Sequence, residues 1–367
     1  MKKRMIHVTV RADYGGAPNY INTMINNMSE KFDVYVACPK DEPYYNLWKS
    51  NKRVKDICFL PHRKFTIKHL ISLVKFVKKH DIEVFQANGK GAGAYRFIKL
   101  FSPKVKVLYA YRGFHIHDYS TIRRKLYFLY ERVMTLFTDK VINVSKGEQE
   151  QCVKNKVLKK SLSSHIYNGI KALERKINPA IEVQYKNKFV VSTLSRFDVQ
   201  KNMKMMYDIA SKMKTIKDIQ FVWIGDGDDK LILEEKARKE SLTNIDFVGF
   251  KNHKEIAEYF SVTDIYLTTA RWEGLPFALV EATSLGLPIV ASDVVGNNEV
   301  CIHNRNGILY PIENSSKAVD AIMKLYTDKD LLKEYAENSK SVFEEFFMVN
   351  QMVDNHESLY EQIIDGL

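Results

Sequence analysis

The feature that most constrains the fold is an alternation, met twice along the chain, of short β-branched runs with segments carrying apolar residues at helical spacing. The runs that predict buried strands are 6–10, 34–37, 84–86, 107–110 and 141–144 in the first series, and 189–194, 221–224, 265–268 and 289–291 in the second. The intervening helical segments include 67–79, 122–137, 203–213, 231–239 and 279–285. Strands that alternate with helices are typical of parallel sheets covered by helices on both faces. The sequence therefore predicts an α/β chain with two doubly wound parallel sheets.

A charged, polar stretch, 171–188, separates the two series, and we place a domain boundary there. The predicted N-terminal domain is 1–170 and the predicted C-terminal domain is 171–344. A last helical segment, 343–364, either completes the second domain or returns to brace the first, so that residues from about 345 to 367 would pack on it. Two such sheets in tandem are expected to face a shared cleft with the carboxyl ends of their strands, where ligands bind.

Several protein classes are disfavoured by the sequence. No run of eighteen apolar residues is present, so no transmembrane helix is expected. The basic N-terminus resembles the start of a signal peptide, but Arg11 and Asp13 interrupt the apolar run and no cleavage site follows. Cys38, Cys58, Cys152 and Cys301 lie far apart. This spacing fits neither a zinc site nor a disulfide framework, and it favours a reducing cytoplasm.

The net charge of +12 is unevenly distributed along the chain. Residues 1–170 hold 32 Lys and Arg against 13 Asp and Glu, an excess of +19, whereas 171–367 hold 24 against 31, a balance of −7. A genome-wide preference for lysine would enrich both halves. We expect the basic half to face an anionic membrane surface or a phosphorylated lipid carrier rather than nucleic acid, although a half without any such partner is also open. Two segments, 62–79 and 122–130, combine cations with apolar residues that either lie at an interface or face the core.

The most informative stretch follows the predicted strand 265–268. Gly274 and Pro276 shape a tight turn, and a helix is expected to begin near Phe277 with free N–H groups suited to a phosphate. Glu273 and Glu281 stand about two helical turns apart, so their carboxylates can bind hydroxyl groups at two ends of an elongated polar ligand. Taken alone, the same pair could be a solvated helix carboxylate and a partner of the helix dipole.

Further motifs accompany this stretch in a fixed order. They are Tyr14-Gly15-Gly16-Ala17, Tyr167-Asn168-Gly169-Ile170, the run from Ser195 to Asn202, Ile224-Gly225-Asp226-Gly227, the run from Leu285 to Ser292, Gly296, Glu299 and Asn306-Gly307. Together with Glu273 and Glu281, which have seven residues between them, this series resembles glycosyltransferase family 4. Its members are retaining enzymes of GT-B architecture, with two Rossmann-like domains facing each other across a cleft. The resemblance spans nearly the whole chain and is strongest over 165–310.

The resemblance implies roles for four charged residues. The first family glutamate, here Glu273, lies against the donor sugar, and the second, Glu281, holds the ribose of the nucleotide. The arginine and lysine of the family's R-x-x-x-x-K pattern match Arg196 and Lys201 and neutralise the donor diphosphate. The chemistry favours such cations independently, because breaking a sugar–diphosphate bond leaves negative charge that fixed cations stabilise without a metal. We therefore expect no metal and no other cofactor.

Other positions are expected at the donor site. These are Gly15, Gly16, Asn168, Gly225, Gly274, Leu275, Pro276, Phe277 and Leu279. The Gly15-Gly16 pair, taken alone, would be an ordinary strand-to-helix turn. Family members carry a histidine near the donor sugar, but here Arg112 fills the usual slot before Gly113. We predict that His115 supplies this function, with Arg112 as the alternative.

Two motifs resemble other sites. The run from Gly89 to Ala94 fits a weak dinucleotide-binding pattern, and a turn that opens a helix is the preferred interpretation. The run from Asp226 to Asp229 resembles a D-x-D metal site, but it follows a strand and precedes a helix, which predicts a turn and an N-cap.

The resemblance implies a retaining glycosyltransferase of the hexosyltransferase type. Its expected donor is a nucleotide diphosphate sugar, most simply UDP-linked. The expected acceptor is a saccharide or a lipid-linked saccharide in bacterial surface polysaccharide synthesis, such as lipopolysaccharide or capsule. The chain would then be cytoplasmic and peripheral at the inner face of the cell membrane. Three alternatives stay open: a nucleotide-sugar epimerase or hydrolase of the same fold, a phosphorylase, and a non-catalytic binding subunit.

Overall fold

The structure is a computed structural model that describes residues 2–114, 116 and 119–366. The chain forms two compact units. The first runs to Gly169 and includes the C-terminal segment from Val349, and the second is Ile170–Met348. Each unit is built around one parallel sheet.

The sheet of the first unit has seven strands. They are β1 (Lys3–Val8), β2 (Phe32–Cys38), β3 (Val54–Phe59), β4 (Val84–Asn88), β5 (Lys106–Ala110), β6 (Lys140–Asn143) and β7 (Ser163–His165). Their order is β3-β2-β1-β4-β5-β6-β7, and every pair is parallel. The chain order reverses between β1 and β4. Helices connect the strands, namely α1 (Gly16–Asn27), α2 (Tyr44–Ser50), α3 (Ile67–Lys79), α4 (Ile98–Phe101), α5 (Thr121–Met134) and α6 (Lys146–Lys154).

The sheet of the second unit has six strands. They are β8 (Phe189–Leu194), β9 (Ile219–Ile224), β10 (Ile245–Gly249), β11 (Ile265–Thr268), β12 (Ile289–Ser292) and β13 (Gly307–Tyr310). Their order is β10-β9-β8-β11-β12-β13, again all parallel, with the reversal between β8 and β11. The helices are α7 (Pro179–Gln184), α8 (Met203–Lys212), α9 (Lys230–Lys239), α10 (His253–Ser261), α11 (Phe277–Ser284), α12 (Asn297–Val300), α13 (Ser315–Thr327) and α14 (Lys329–Phe346).

Two doubly wound parallel sheets confirm the predicted fold class. All nine predicted strands are present, with ends that move by at most three residues. The largest difference is at the first strand, which was expected over 6–10 and is Lys3–Val8. The strands that the sequence missed are β3, β7, β10 and β13, which are the four edges of the two sheets.

The last helical segment, predicted over 343–364, is helical except for a break at Phe347 and Met348. The break separates α14 from a last helix, α15 (Val349–Asp365). The break has a local cause: the carbonyl of Phe347 accepts the Ile170 N–H at 3.0 Å, and Ile170 and Met348 form an isolated bridge. Backbone that pairs with another segment in this way cannot continue a helix.

Helix α15 packs within the first unit. Glu357 accepts hydrogen bonds from the Ser29 N–H at 2.6 Å and the Ser29 hydroxyl at 2.7 Å. The hydroxyl of Tyr360 donates to the side-chain oxygen of Gln86, a buried residue of β4. The polar stretch 171–188, in contrast, lies on the second unit, where the Leu173 N–H donates to Ser284 and α7 forms.

No helix among the described residues is both long and apolar enough to cross a bilayer.

Candidate active site

The candidate site of the second unit lies where its strand order reverses. Strands β8 and β11 are hydrogen-bonded neighbours, and both are followed by loops at the carboxyl edge of the sheet. The loop after β8 carries Arg196 and Lys201, and the loop after β11 carries Glu273. In open α/β sheets the crevice beside such a reversal is where ligands bind. The topology therefore brings these two motifs, more than seventy residues apart in sequence, to one edge.

Hydrogen bonds join the two loops. The side-chain amide of Gln200 donates to the Trp272 carbonyl at 3.0 Å, and the Arg271 N–H donates to the Gln200 carbonyl at 2.8 Å. The Thr269 hydroxyl donates to the Lys201 carbonyl at 2.8 Å. These bonds fix the backbone on both sides of the charged side chains, so the site is held before any ligand arrives.

Lys201 and Glu273 form an ion pair in which Nζ lies 2.5 Å from Oε1. Their side chains are 16% and 8% exposed, so the pair is largely desolvated. Removing one partner of such a pair is strongly destabilising, because the other is left as an uncompensated charge. The structure thus joins the predicted diphosphate cation to the predicted sugar-binding carboxylate.

Arg196 differs from Lys201 in exposure. Its guanidinium pairs with Asp198 at 3.0 Å and donates to Gln200 at 3.1 Å, while 69% of its side chain is exposed. Asp198 also accepts the Lys201 N–H at 3.0 Å, so it organises both ends of the R-x-x-x-x-K motif. An exposed ion pair of this kind contributes little energy, and Arg196 can therefore turn toward a ligand at low cost.

Gly225 allows the β9–α9 loop to approach the loop that carries Arg196. Its φ is +132°, and a Cβ at this position would lie 2.0 Å from the Ser195 carbonyl oxygen. The Ser195 N–H donates to Ile224 and the Phe197 N–H donates to Asp226, so the backbone on both sides of Arg196 is fixed. The structure thereby gives Gly225 a packing role, and its predicted contact with the nucleotide stays a prediction.

Glu281 is a buried carboxylate on α11, only 6% exposed. Burial raises the pKa of Glu281 to about 7. Among the described residues no donor hydrogen-bonds to the carboxylate, and the exposed His253 lies beside it, with Nδ1 at 3.7 Å from Oε1. Burial, followed by the charges of Glu281 and Glu273, raises the pKa of Tyr266. A buried carboxylate with vacant acceptor positions is suited to hydroxyl groups.

The turn between the two glutamates begins α11. Pro276 is its N-cap, no side chain caps it, and no acidic residue lies in the first turn. The N–H groups of Leu279 and Val280 are used by the Pro276 carbonyl. The side chains of Leu275 and Leu279 are buried. Any contact of Gly274 or of these leucines with the nucleotide sugar therefore has to come from their backbone atoms. Phe277, the first residue of the helix, has an N–H at the positive end of the helix dipole.

The first unit has its own reversal, between β1 and β4, and the predicted glycine pair lies there. Gly15 is the N-cap of α1 in an extended conformation, and Gly16 is the first residue of that helix. A Cβ on Gly15 would contact only the Arg11 guanidinium, at an ordinary 3.6 Å. The chain's own packing therefore leaves room for a side chain at position 15, and the predicted ligand contact of the Gly15-Gly16 pair stays a prediction.

Arg112 lies just after β5 and has a positive φ of 58°. Its guanidinium donates to the side-chain oxygen of Asn88 at 3.0 Å and to that of Asn168 at 3.3 Å, and it stacks on the Tyr20 ring at 3.2 Å from the centroid. Asn168, predicted at the donor site, is buried and thus positions Arg112. His115, the preferred candidate for the family histidine, lies outside the described residues.

His7 and His356 pack on Tyr20, the ring on which Arg112 stacks. Burial and the neighbouring Arg112 charge lower the pKa values of His7 and His356 to about 3. Both rings are therefore uncharged at neutral pH, and the side-chain amide of Gln86 donates to the hydroxyl of Tyr20 at 3.2 Å. Arg112 is consequently a cation held rigidly in place at the carboxyl edge of this sheet.

Sequence reasoning missed the residues that hold the site in shape. Asp198 and Gln200 lie inside the R-x-x-x-x-K motif, so their positions within it were the available signal. No sequence signal marked Asn88 and Tyr20, because they contact Arg112 only when the strands are arranged in the sheet.

The two motifs that resemble other sites take ordinary structures. The run from Gly89 opens a 3₁₀ helix, Lys90–Phe97. Asp226 accepts the Gly227 N–H at 2.8 Å in a turn, and Asp229 is the N-cap residue of α9. Asp229 also pairs with Lys204 at 3.4 Å. In the part of the chain that the structure describes, no cluster of three His, Cys, Asp or Glu side chains could hold a metal ion.

Comparison with known proteins shows which class of enzyme the chain belongs to. A family model described as glycosyl transferases group 1 matches residues 174–342, and one described as glycosyltransferase family 4 matches residues 14–172. The fold is similar to that of Anabaena Alr3699/HepE, solved in complex with UDP and glucose, with a TM-score of 0.84 at 17% identity over 98% of this chain and all of that one. The chain is therefore an enzyme of the glycosyltransferase class with GT-B architecture.

Curated relatives narrow the class. An uncharacterized 41.2 kDa protein of the cps region in Klebsiella pneumoniae is 28% identical over 92% of this chain and 96% of its own length. The Escherichia coli UDP-Gal:alpha-D-GlcNAc-diphosphoundecaprenol alpha-1,3-galactosyltransferase is 24% identical over 92% and 90%. With the two family models covering consecutive parts of nearly the whole chain, the protein belongs to glycosyltransferase family 4.

Proposed function

We propose that the chain is a retaining glycosyltransferase that moves a hexose from a UDP-sugar to a lipid-diphosphate-linked saccharide in the synthesis of a bacterial surface polysaccharide. The observation that carries the proposal is the Lys201–Glu273 pair at the strand reversal, fixed by the hydrogen bonds around Gln200. Three named proteins support the details: the Escherichia coli galactosyltransferase for the lipid-linked acceptor, HepE for UDP, and the cps-region protein for the polysaccharide.

The second unit binds the donor in this proposal. Glu281 accepts hydrogen bonds from the ribose hydroxyls, which replace the water that its burial excludes. Lys201 and Arg196 neutralise the diphosphate, and Glu273 lies against the sugar. Lys201 contacts Glu273 before the donor binds, so it holds this carboxylate in place while it also meets the leaving phosphate.

The reaction is proposed to proceed on one face of the sugar. The bond between the anomeric carbon and the diphosphate oxygen breaks, and the acceptor oxygen forms its bond on the same face. The acceptor's proton passes to the departing phosphate oxygen, so no carboxylate is needed as a base. Charge that develops on the phosphate is stabilised by Lys201, Arg196 and the start of α11, and no metal is needed for this step.

Donor binding tests the first half of the proposal. UDP-glucose, UDP-galactose, UDP-N-acetylglucosamine and GDP-mannose are compared by thermal shift, and at least one UDP-sugar is expected to raise the Tm more than GDP-mannose does. Glu281→Ala should abolish the shift. Glu337→Ala, which removes an exposed carboxylate from α14, should keep it. A shift that survives Glu281→Ala would contradict the ribose role.

Product stereochemistry tests the second half. The protein is incubated with the UDP-sugar that binds and a synthetic lipid-diphosphate N-acetylglucosamine, and the new linkage is analysed by NMR. An α-linked product from an α-linked donor is expected. A β-linked product would contradict attack on the leaving-group face.

A further inference from the structure

Helix α5 carries an apolar stripe that the first unit leaves exposed. It consists of Ile122, Leu126, Leu129 and Val133, continued by Leu136 in the turn that follows. The five side chains are between 45% and 77% exposed. Their spacing of four, three, four and three residues places them on one side of a helix with 3.6 residues per turn.

The opposite side of α5 already faces the core. Tyr127 and Phe128 pack against the core of the first unit, and Met134 is fully buried. Glu131 is also buried and pairs with the buried Arg96 at 2.8 Å. The helix therefore has apolar residues on two sides, and only one of them is used by the fold. The stripe is in excess of what packing requires.

Neighbouring helices extend the stripe into a surface. Helix α3 packs against α4, and the short 3₁₀ segment after Gly89 contacts both α4 and α5. Large exposed apolar side chains on these neighbours are Ile67 and Ile71 of α3 and Leu100 and Phe101 of α4. We call these four side chains and the α5 stripe the α3–α5 surface. Several large exposed apolar side chains on neighbouring elements of one unit are typical of an interaction site.

Four cations without a carboxylate partner among the described residues lie beside this surface. Arg123 and Lys125 flank the stripe on α5, and Lys68 and Lys75 lie on the exposed side of α3. None of these four takes part in the ion pairs found among the described residues. Glu131, the one acidic residue within α5, is buried and already paired. The surface is therefore both apolar and cationic.

We propose that the α3–α5 surface docks on an anionic lipid bilayer, with the α5 stripe inserted among the acyl chains at the interface and the flanking cations among the lipid headgroups. An amphipathic helix with cations beside its apolar side is suited to this boundary. A symmetric second copy fits less well, because a twofold contact would place the same cations opposite each other. The proposal goes beyond the proposed function, since donor binding in the second unit does not depend on it.

Vesicle binding by the full chain tests the proposal. The protein is sedimented with vesicles of phosphatidylcholine alone and with vesicles that contain phosphatidylglycerol in addition. We expect binding to the anionic vesicles only, and release in high salt. Leu126→Glu with Leu129→Glu should lower the partition coefficient at least a hundredfold. Arg123→Gln with Lys125→Gln should lower it about thirtyfold, at about fivefold per cation.

A matched pair on the second unit controls for exposed leucines in general. Leu231 and Ile232 of α9 are 76% and 60% exposed, but the helix around them carries both acidic and basic side chains. Leu231→Glu with Ile232→Glu should bind anionic vesicles as the wild type does. All variants should keep the wild-type Tm and the wild-type thermal shift with UDP-glucose, which separates loss of docking from loss of folding or of donor binding.

Three results would overturn the proposal. The first is equal binding to neutral and anionic vesicles, or none to either. The second is equal loss of binding in the α5 and α9 variants. The third is a dimer in sedimentation velocity that Leu126→Glu with Leu129→Glu dissociates, because a second copy would then be the occupant.

Discussion

Glu281 is expected to oppose folding and favour donor binding over the same pH range. Burial raises its pKa in the folded chain from 4.5 to about 7. Below pH 4.5 the carboxyl is protonated in both folded and unfolded chains, and it has no effect on the pH dependence of stability. Between pH 4.5 and 7 it ionises in the unfolded chain first. The free energy of unfolding therefore falls as the pH rises through this interval.

The size of the effect follows from the two pKa values. At about 1.4 kcal/mol per pH unit, the interval from 4.5 to about 7 corresponds to about 3 kcal/mol. Glu281→Gln removes this titration. The difference in the free energy of unfolding between wild type and variant should thus change by about 3 kcal/mol from pH 4 to pH 8, in favour of the variant at pH 8. Urea unfolding followed by circular dichroism measures it. Taking the difference cancels Glu148, whose pKa burial also raises to about 7.

Donor affinity should change in the opposite sense. Ribose hydroxyls donate to the ionised carboxylate, and at pH 6 only about a tenth of Glu281 is ionised if its pKa is about 7. The Kd for UDP-glucose or UDP-galactose should therefore be about tenfold higher at pH 6 than at pH 8. A UDP-sugar is the right probe, because its esterified phosphates lack the second ionisation of a phosphate monoester near pH 6.

Calorimetric titration at pH 6, 7 and 8 measures this dependence. Glu281→Gln should bind weakly at every pH. His253→Gln should retain the wild-type pH dependence, which controls for the histidine 3.7 Å from the carboxylate. Wild-type affinity that is independent of pH, or a variant with the same pH dependence as the wild type, would refute the assignment of Glu281 to the ribose.

Three further predictions concern the charges and glycines of the site. In a UDP-release assay, Arg196→Ala or Lys201→Ala should lower kcat at least a hundredfold, which corresponds to about 2.7 kcal/mol. The control variant Lys204→Ala should keep the wild-type kcat. Near-wild-type rates in Arg196→Ala and Lys201→Ala would contradict their role at the diphosphate. Gly225→Ala should lower the free energy of unfolding by about 3 kcal/mol or more, because its Cβ would overlap the Ser195 carbonyl. Gly15→Ala should lower it by less than about 1 kcal/mol and should raise KM for a substrate. Equal losses of Tm in the two variants would contradict the packing role of Gly225. Addition of EDTA should leave the rate of UDP release unchanged, and a rate restored only by Mg²⁺ or Mn²⁺ would show that the cations of the site are insufficient.

The strands show how far the sequence predicts the fold. Interior strands such as β9 are buried along their whole length, so each is a continuous apolar run that the sequence displays. Strand β7 is Ser163–His165, and β3 contains Lys55 and Asp56 and buries only Cys58, because an edge strand is only partly covered. The signal that predicts a parallel strand is therefore weakest at the four edges, where all the missed strands lie.

The candidate site divides in a similar way. Glu273, Glu281, Arg196 and Lys201 were predicted because they occur in spaced motifs with chemistry that suits a diphosphate sugar. The 2.5 Å ion pair between Lys201 and Glu273 was not predicted, because it depends on β8 and β11 being neighbours in the sheet.

In the first unit, the contacts of Arg112 could not be predicted from the sequence either. Asn88 ends β4, Tyr20 lies on α1 and Asn168 is near the end of the unit's first segment, so only the folded chain brings them together. Contacts between side chains from distant elements leave no local pattern in the sequence.

The fate of the donor's sugar tests the central claim most directly. The full chain is incubated with radiolabelled UDP-galactose or UDP-glucose, with and without a lipid-diphosphate N-acetylglucosamine, and the products are separated into UDP, free sugar and glycolipid. We expect UDP and labelled glycolipid to accumulate in equal amounts, and only when the acceptor is present. Free sugar formed at the same rate without acceptor would contradict it, because the chain would then be a hydrolase or an epimerase that uses the same cations and carboxylates.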